Sequence, residues 1–326
     1  MSKHREQRLT THNRTRRVRF QERAFPCGPF IGVNACRVNM EAFRALVTEA
    51  GYALRETPHF LLGQREGAPT LIIHRFTPEE IDRWLGDYFL AELRSAGIIT
   101  TSEDFASVFA AVIGSLFPRD PGRGWHLFSM NALQRYHRLL AADSPPDMPG
   151  QNDIFAPLYR RVCALITGSS LLDAGCLSGY LPLLAAERLP ALTRVVGVDI
   201  SAEPFAISRA IAEERGLTNV QFVQADLLSP DLYAIGHFDT VTILHVLEHF
   251  CEMDMYRVLA NLLPLTTRRL IIAVPFEAGE PESIYGHLQL FTREKLESVG
   301  RWCLARWQGG TMHYEDCAGG LLSIDR

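Results

Sequence analysis

Residues 170–250 constrain the fold more than any other stretch, because four β-rich runs alternate there with helical patterns. The runs are Leu171-Leu172-Asp173, Arg194-Val195-Val196-Gly197-Val198-Asp199, Val220-Gln221-Phe222-Val223-Gln224 and Phe238-Asp239-Thr240-Val241-Thr242-Ile243-Leu244. Helical spacing over 183–188 and 203–215 separates them. This alternation predicts a parallel sheet covered by helices on both faces. Ligands of such sheets lie beyond the carboxyl ends of the strands, where Asp173, Asp199, Asp226 and His245 fall.

Each of these residues has a task if the ligand is an adenosine with a charged tail. Asp173 precedes the turn Gly175-Cys176-Leu177-Ser178-Gly179, whose glycines let a ligand approach the backbone closely. A carboxylate at that place repels a pyrophosphate and suits a cationic amine. Asp199 stands 20 residues past Gly179, the spacing at which a carboxylate meets ribose hydroxyls. Asp226 is placed to accept from an adenine amino group, and Cys176 is a small filler of the turn rather than a nucleophile. The plain alternative is a Gly turn that serves packing alone. A nicotinamide dehydrogenase is a further rival, opposed by Asp173 and by the lack of a full Gly-x-Gly-x-x-Gly. His245-Val246-Leu247-Glu248-His249 fits the H-x-x-E-H string of helical zinc sites. Its first His closes a β-run, however, so the pair would not share a helical face, and no metal ligand is assigned.

The stretch resembles the class I S-adenosylmethionine-dependent methyltransferases, whose first motif is an acidic residue followed by glycines at alternating places. Asp173, Gly175 and Gly179 match, whereas Leu177 stands at the middle glycine place, and Leu tolerates positive φ poorly. The resemblance implies an α/β, Rossmann-like, seven-stranded sheet with S-adenosyl-L-methionine as cofactor. It carries the cofactor set onto Asp173, Gly175, Cys176, Gly179, Asp199, Ile200, Asp226, Leu227 and His245. Tyr159 is added as a lid residue, with Gln151, Asn152 and Asp153 before it; a helix cap is the competing role for Asp153. The amphipathic pattern over 158–166 is a helix, 269–275 a fifth strand and 292–299 a helix, and 302–307 and 320–324 pair as the last two strands. The loop over 276–290 leaves a strand's carboxyl end and walls the acceptor pocket with Glu277, Tyr285 and His287.

The remainder of the chain adds a second, smaller unit. The 326 residues are 47% hydrophobic with mean hydropathy near zero, which suits a folded chain of one large or two modest domains. Residues 1–23 hold eight Lys/Arg against Glu6 and Glu22, a balance of +6 that leaves the rest near −10. That asymmetry predicts a basic, disordered tail over 1–24 and argues against a dedicated nucleic-acid binder. No apolar run reaches the ~20 residues of a membrane span. The seven cysteines are scattered without a C-x-x-C, so a reducing, cytoplasmic home is expected. Residues 25–150 read as a small α+β domain and 151–326 as the cofactor domain, joined by a Pro-rich linker over 143–150. Within the small domain the expected elements are an irregular entry at Pro26, Gly28, Pro29 and Gly32 and helices over 40–50, 102–116 and 125–142. A hairpin over 59–74 and a helix start at Thr77-Pro78-Glu79-Glu80 complete it.

A narrower likeness rests on Ala273-Val274-Pro275-Phe276-Glu277, Tyr285-Gly286-His287, Gln151-Asn152-Asp153 with Pro157-Leu158-Tyr159, Leu247-Glu248-His249, His74-Arg75-Phe76 and Gly319-Gly320. These segments are similar to the methyltransferases that modify the oligosaccharide of mycofactocin. The likeness implies O-methylation of a glucose hydroxyl on a peptide-derived cofactor. A small-molecule O- or N-methyltransferase of secondary metabolism, or a non-catalytic binding module of the same fold, are the alternatives. A sugar hydroxyl is a weak nucleophile and benefits from a general base. His287, His245 and Tyr285 are the catalytic candidates, with Glu248 and His249 behind them and a metal-assisted route left open.

Overall fold

A computed structural model describes residues 22–141, 154–281, 283–307 and 309–326. The basic stretch 1–21, the linker 143–150 and the trio Gln151, Asn152 and Asp153 lie outside the described residues. The chain forms two compact units, one ending at Ala132 and the other covering Leu133–Arg326. Among the described residues no helix is long and apolar enough to cross a membrane.

The first unit is built on a five-stranded mixed sheet in the order β1-β2-β5-β4-β3. Its strands are β1 (Ala24–Cys27), β2 (Phe30–Asn34), β3 (Ala53–Glu56), β4 (Phe60–Gln64) and β5 (Thr70–His74), with helix α1 (Met40–Glu49) between β2 and β3. The stretch expected to be an irregular entry is instead an antiparallel β1–β2 hairpin turning at Gly28, whose φ of 55° needs glycine. Pro26 is tolerated because β1 is an edge strand. The β4–β5 hairpin pairs as the sequence predicts. Thr77-Pro78 does not start a helix. The Thr77 carbonyl accepts from Glu80 N–H in a turn, and helix α2 (Trp84–Tyr88) begins four residues later, continuing as a π-helix over Phe89–Arg94. Helix α3 (Ser102–Leu116) starts on a reciprocal cap between Thr101 and Asp104 and packs on β1 and β2. Gly32 permits that approach, since a Cβ there would stand 2.0 Å from the Ala111 carbonyl oxygen. Helix α4 (Pro121–Ala141) starts earlier than its apolar pattern suggests, because Gly122 and Gly124 mask the signal. Gly124 is required where a Cβ would press on the Ile113 carbonyl at 2.7 Å.

The second unit carries the seven-stranded sheet. After helix α5 (Phe155–Leu165) come β6 (Ser170–Ala174), α6 (Tyr180–Arg188), β7 (Arg194–Asp199), α7 (Phe205–Glu214) and β8 (Val220–Gln224). Then follow β9 (Phe238–Leu244), α8 (Glu252–Leu265), β10 (Thr266–Val274), α9 (Arg293–Leu304), β11 (Thr311–Asp316) and β12 (Gly320–Asp325). The strand order is β11-β12-β10-β9-β6-β7-β8, parallel from β10 to β8 and antiparallel at β12 and β11. The expected seven-stranded α/β architecture is therefore present. One strand assignment is corrected: 302–307 is not a strand. Leu296, Val299, Gly300 and Cys303 are buried at helical spacing, so α9 runs on to Leu304 and the penultimate strand is β11.

The chain winds from β6 to β8 in one direction and resumes on the other side of β6 at β9, so a crevice opens at the β6/β9 switch point. Leu172, Val196, Val241 and Ile243 are buried on one face of β6, β7 and β9, and Leu171 and Val195 on the other, as a doubly covered sheet requires.

Candidate functional site

The turn after β6 shows what alternating glycines are for. Gly175, Leu177 and Gly179 all take left-handed backbone, with φ of 79°, 45° and 67°. The middle place is one that glycine adopts freely and leucine adopts under strain. Packing imposes a second demand: a Cβ on Gly175 would stand 2.4 Å from Val246, and one on Gly179 would stand 2.2 Å from Phe222. The turn is tied to β7 through Gly175 and Cys176 N–H groups donating to the Val198 carbonyl at 2.8 and 2.9 Å. Leu177 N–H donates to Asp199 Oδ2 at 2.8 Å. Cys176 fills the space over Gly197, where an added Cβ would meet its sulfur at 2.7 Å. Burial also raises its thiol pKa well above the usual range, which disfavours the thiolate.

Asp173 is buried on β6 and accepts a 2.6 Å hydrogen bond from Thr242 on β9, across the switch point. Burial pushes its carboxyl up to about 7; the Thr242 hydroxyl opposes that and the Asp199 charge adds to it. A cation beside Asp173 would hold it ionised. Asp199 accepts from Leu177 N–H through one oxygen and from Ser201 N–H through the other, at 2.8 and 2.9 Å. Each oxygen keeps a lone pair for a hydroxyl group. Asp226 accepts from Leu228 N–H at 2.9 Å in a local turn. Ile200 and Asp226 border a groove of about 710 Å³ that runs along β7 and β8. Leu177 and Ile200 are 60% and 68% exposed, unusual for apolar side chains at strand ends and suited to cover by a flat apolar ligand. These features fit a nucleoside with a cationic tail. Leu227 differs from its neighbours, because its side chain belongs to the core and its carbonyl accepts from Asn261 Nδ2 at 2.9 Å. Tyr159 is buried on α5 against Tyr136 and Phe155, at ring separations of 5.1 and 5.6 Å.

The carboxyl ends of β9 and β10 hold a second cluster. His245 leaves β9 with φ of 53°, another strained backbone for a non-glycine residue, and its ring lies 5.1 Å from Phe155. The following Leu247–His249 segment is a 3-10 turn, so the H-x-x-E-H string does not lie on one α-helix, as its place after a strand predicts. The 276–290 loop folds onto this turn. Leu288 N–H donates to the Glu248 carbonyl at 2.8 Å, and Gln289 Nε2 donates to the Leu247 and Phe250 carbonyls at 3.0 and 2.8 Å. His287 thereby reaches Glu248 and His249: its Nε2 is 3.9 Å from Glu248 Oε1 and its ring 4.9 Å from that of His249. Its Nδ1 bonds Glu277 Oε1 at 2.7 Å. Tyr285, 46% exposed, stands 5.7 Å from the His287 ring. The sequence placed Tyr285 and His287 on the loop that meets the turn after His245 but did not reveal that Glu277 anchors His287, or that Thr242 anchors Asp173. Partners 10 and 69 residues away leave no local pattern.

Comparison with known proteins bears on the family of the chain. Residues 171–267 match the family described as "Methyltransferase domain". The chain is 38% identical over 93 residues to nocamycin O-methyltransferase of Saccharothrix syringae, a match covering 28% of this chain and 33% of that protein. It thus spans about a third of that relative's length. A magnesium-protoporphyrin O-methyltransferase of Rhodobacter capsulatus is 30% identical over 182 residues, covering 53% of this chain and 78% of that one. Among solved structures, a magnesium protoporphyrin IX methyltransferase of Synechocystis PCC 6803 with bound SAH aligns at a TM-score of 0.43 and 20% identity, over 59% of this chain and 94% of that chain. On the breadth of the Rhodobacter match and the sheet order, the chain belongs to the class I S-adenosylmethionine-dependent methyltransferases, with S-adenosylmethionine as its cofactor.

Proposed function

We propose that the chain methylates an oxygen of a hydroxyl-bearing small molecule, and that the acceptor is a sugar hydroxyl of a mycofactocin-type oligosaccharide. The observation that carries the acceptor class is the gathering of His245, Glu248, His249 and His287 at the ends of β9 and β10. A phenol, with a pKa of about 10, has less need of such an assembly, and a carboxylate acceptor, already ionised near neutral pH, does not need it. An alcohol does, because its proton must be taken up or its oxygen acidified before attack. Exposed Tyr285 offers a flat face and a hydroxyl to a sugar ring. The names of both relatives, O-methyltransferases of small molecules, point to oxygen as the atom methylated.

Bound S-adenosylmethionine supplies an activated methyl group on a sulfonium. In this reading Asp199 receives the ribose hydroxyls, Asp226 the adenine amine and Asp173 the positive tail, while the left-handed turn at 175–179 admits the ligand to the backbone. The acceptor oxygen sits between His245 and His287. It would give its proton up to solvent and form the bond to the methyl carbon, the carbon–sulfur electron pair remaining on sulfur as a neutral thioether. The protein contributes chiefly alignment of the three atoms.

Methyl-labelled S-adenosylmethionine should be incubated with β-linked gluco-oligosaccharides, phenols, carboxylic acids and amines. Label is expected on the sugar oxygen. Label confined to phenols or carboxylates overturns the acceptor class. Tight S-adenosylhomocysteine binding with no labelled product on any acceptor favours a binding module instead.

A further inference from the structure

Glu248 is the most anomalous polar residue near the site. Its side chain is 1% exposed, and neither carboxylate oxygen has a hydrogen-bond partner among the described residues. The nearest imidazole nitrogens, His245 Nδ1 and His287 Nε2, stand at 3.8 and 3.9 Å, too far to bond. Burying an unsatisfied carboxylate is costly, so such a group persists where a proton or a cation joins it.

The two histidines beside it are set as ligands are. His287 Nδ1 bonds Glu277 Oε1 at 2.7 Å, and His249 Nδ1 faces the Gly286 carbonyl at 3.3 Å. A carboxylate or carbonyl on Nδ1 selects the Nδ1–H tautomer and leaves Nε2 with its lone pair. Metal-binding histidines show this outer support, a carboxylate or carbonyl behind the ring. One ligand atom each from Glu248, His249 and His287 lies within 4.8 Å of the others. Ligands sharing one ion at ~2.1 Å stand roughly 3–4 Å apart, so side-chain rotation of about an ångström closes the set. Two imidazoles and one carboxylate suit first-row divalent ions such as Mn²⁺, Co²⁺ or Zn²⁺ better than Mg²⁺ or Ca²⁺, and three protein ligands leave positions open. The turn carrying Glu248 and His249 is clamped by Leu288 and Gln289, so the loop that delivers the third ligand also fixes the first two.

We propose that Glu248, His249 and His287 form a divalent transition-metal site, with Glu277 as its supporting carboxylate, and that the ion acidifies the acceptor hydroxyl. This role for the ion rests on the acceptor pocket proposed above; the site itself does not. His287 then acts as a ligand, and the hydroxyl proton passes to solvent. An ion with open positions polarises and acidifies an oxygen bound to it, which answers the need of a weak alcohol nucleophile.

The test uses Co²⁺ as probe on the full chain stripped with chelator. Wild type should bind one Co²⁺ per chain, seen by calorimetry and by visible d–d absorption. Glu248→Gln, His249→Ala and His287→Ala should each abolish that absorption while S-adenosylhomocysteine affinity stays within a few-fold, which shows them folded. Glu277→Gln should weaken Co²⁺ ~10–100-fold, the usual effect of losing an outer-shell partner. Thermal unfolding gives an independent readout: in chelator Glu248→Gln should melt above wild type, and in Co²⁺ below it. Absence of Co²⁺ binding by wild type overturns the site whatever the acceptor proves to be. Co²⁺ binding in all three ligand variants overturns the ligand set. Methyl transfer that persists undiminished in chelator overturns the ion's catalytic role, while Co²⁺ binding with label on an unexpected acceptor supports the site and refutes only the acceptor assignment.

Discussion

Leu177 and His245 are non-glycine residues held in left-handed backbone, and both stand where strands β6 and β9 deliver their chemistry. That conformation costs an L-residue ~1–2 kcal/mol, more than the ~0.5–1 kcal/mol that glycine loses through its greater unfolded freedom. Leu177→Gly is therefore expected to raise stability by up to ~1 kcal/mol in urea unfolding and to keep S-adenosylhomocysteine affinity. Lost affinity in a folded variant would show instead that the exposed leucine covers the ligand. Asp199 joins the turn to β7 and is the proposed ribose acceptor. Asp199→Ala should weaken S-adenosylhomocysteine by ~1.5–3 kcal/mol, the range for hydrogen bonds to a charged group. Unchanged calorimetric affinity would remove it from the site. At this scale the sequence was informative: Asp173, Gly175, Gly179 and Asp199 stand where the strand-end argument puts them. It also marked Leu177 as a misfit, because positive φ is a backbone property that a glycine pattern encodes directly.

Between elements, the 276–290 loop matters most. It leaves β10 at the ligand-bearing end and folds back onto the 3-10 turn after β9, placing His287 8% exposed among Glu277, Glu248 and His249. His287→Ala is expected to keep S-adenosylhomocysteine affinity and lose at least ~10²-fold in turnover, the low end for losing activation of a weak nucleophile, because the variant lacks a ligand of the ion proposed to acidify the acceptor hydroxyl. Single-turnover rates measured beside cofactor affinity check this, and near-wild-type turnover would take His287 out of the chemistry. The string His245 to His249 shows where periodicity stops being informative. Read as a helix it fails, since it follows a strand. Its true partner, His287, lies 38 residues beyond His249 and arrives only because Leu288 and Gln289 bond the turn. Helix α9 shows the opposite error: Trp302 and Trp307 suggested a strand, while the buried spacing of Leu296, Val299, Gly300 and Cys303 held the helix together.

For the molecule as a whole, Asp173 links the site to global stability. Its folded pKa is raised from 3.8 to about 7, chiefly by burial. A carboxyl raised on folding contributes stability that is fully present below its unfolded pKa and is lost as pH rises through the folded one. Without cofactor, this contribution should fall between pH ~4 and ~7, and Asp173→Asn should flatten that part of the melting-temperature profile because an amide does not titrate. Identical profiles for the two proteins would place the Asp173 carboxyl in a better solvated setting than its burial implies. The sequence by itself determined the alternation of strands and helices, the ligand-bearing carboxyl ends of the strands and the acids found there, whereas the strand order that opens the crevice at the switch point came from the structure. The former follow from local patterns: apolar runs, glycine turns and the position of a residue relative to its own strand. Tertiary structure alone decided the Asp173–Thr242 bond across β6 and β9, the Glu277–His287 pair, and the meeting of Glu248, His249 and His287. Those contacts depend on which strands become neighbours and how a loop returns, and no spacing along the chain records either.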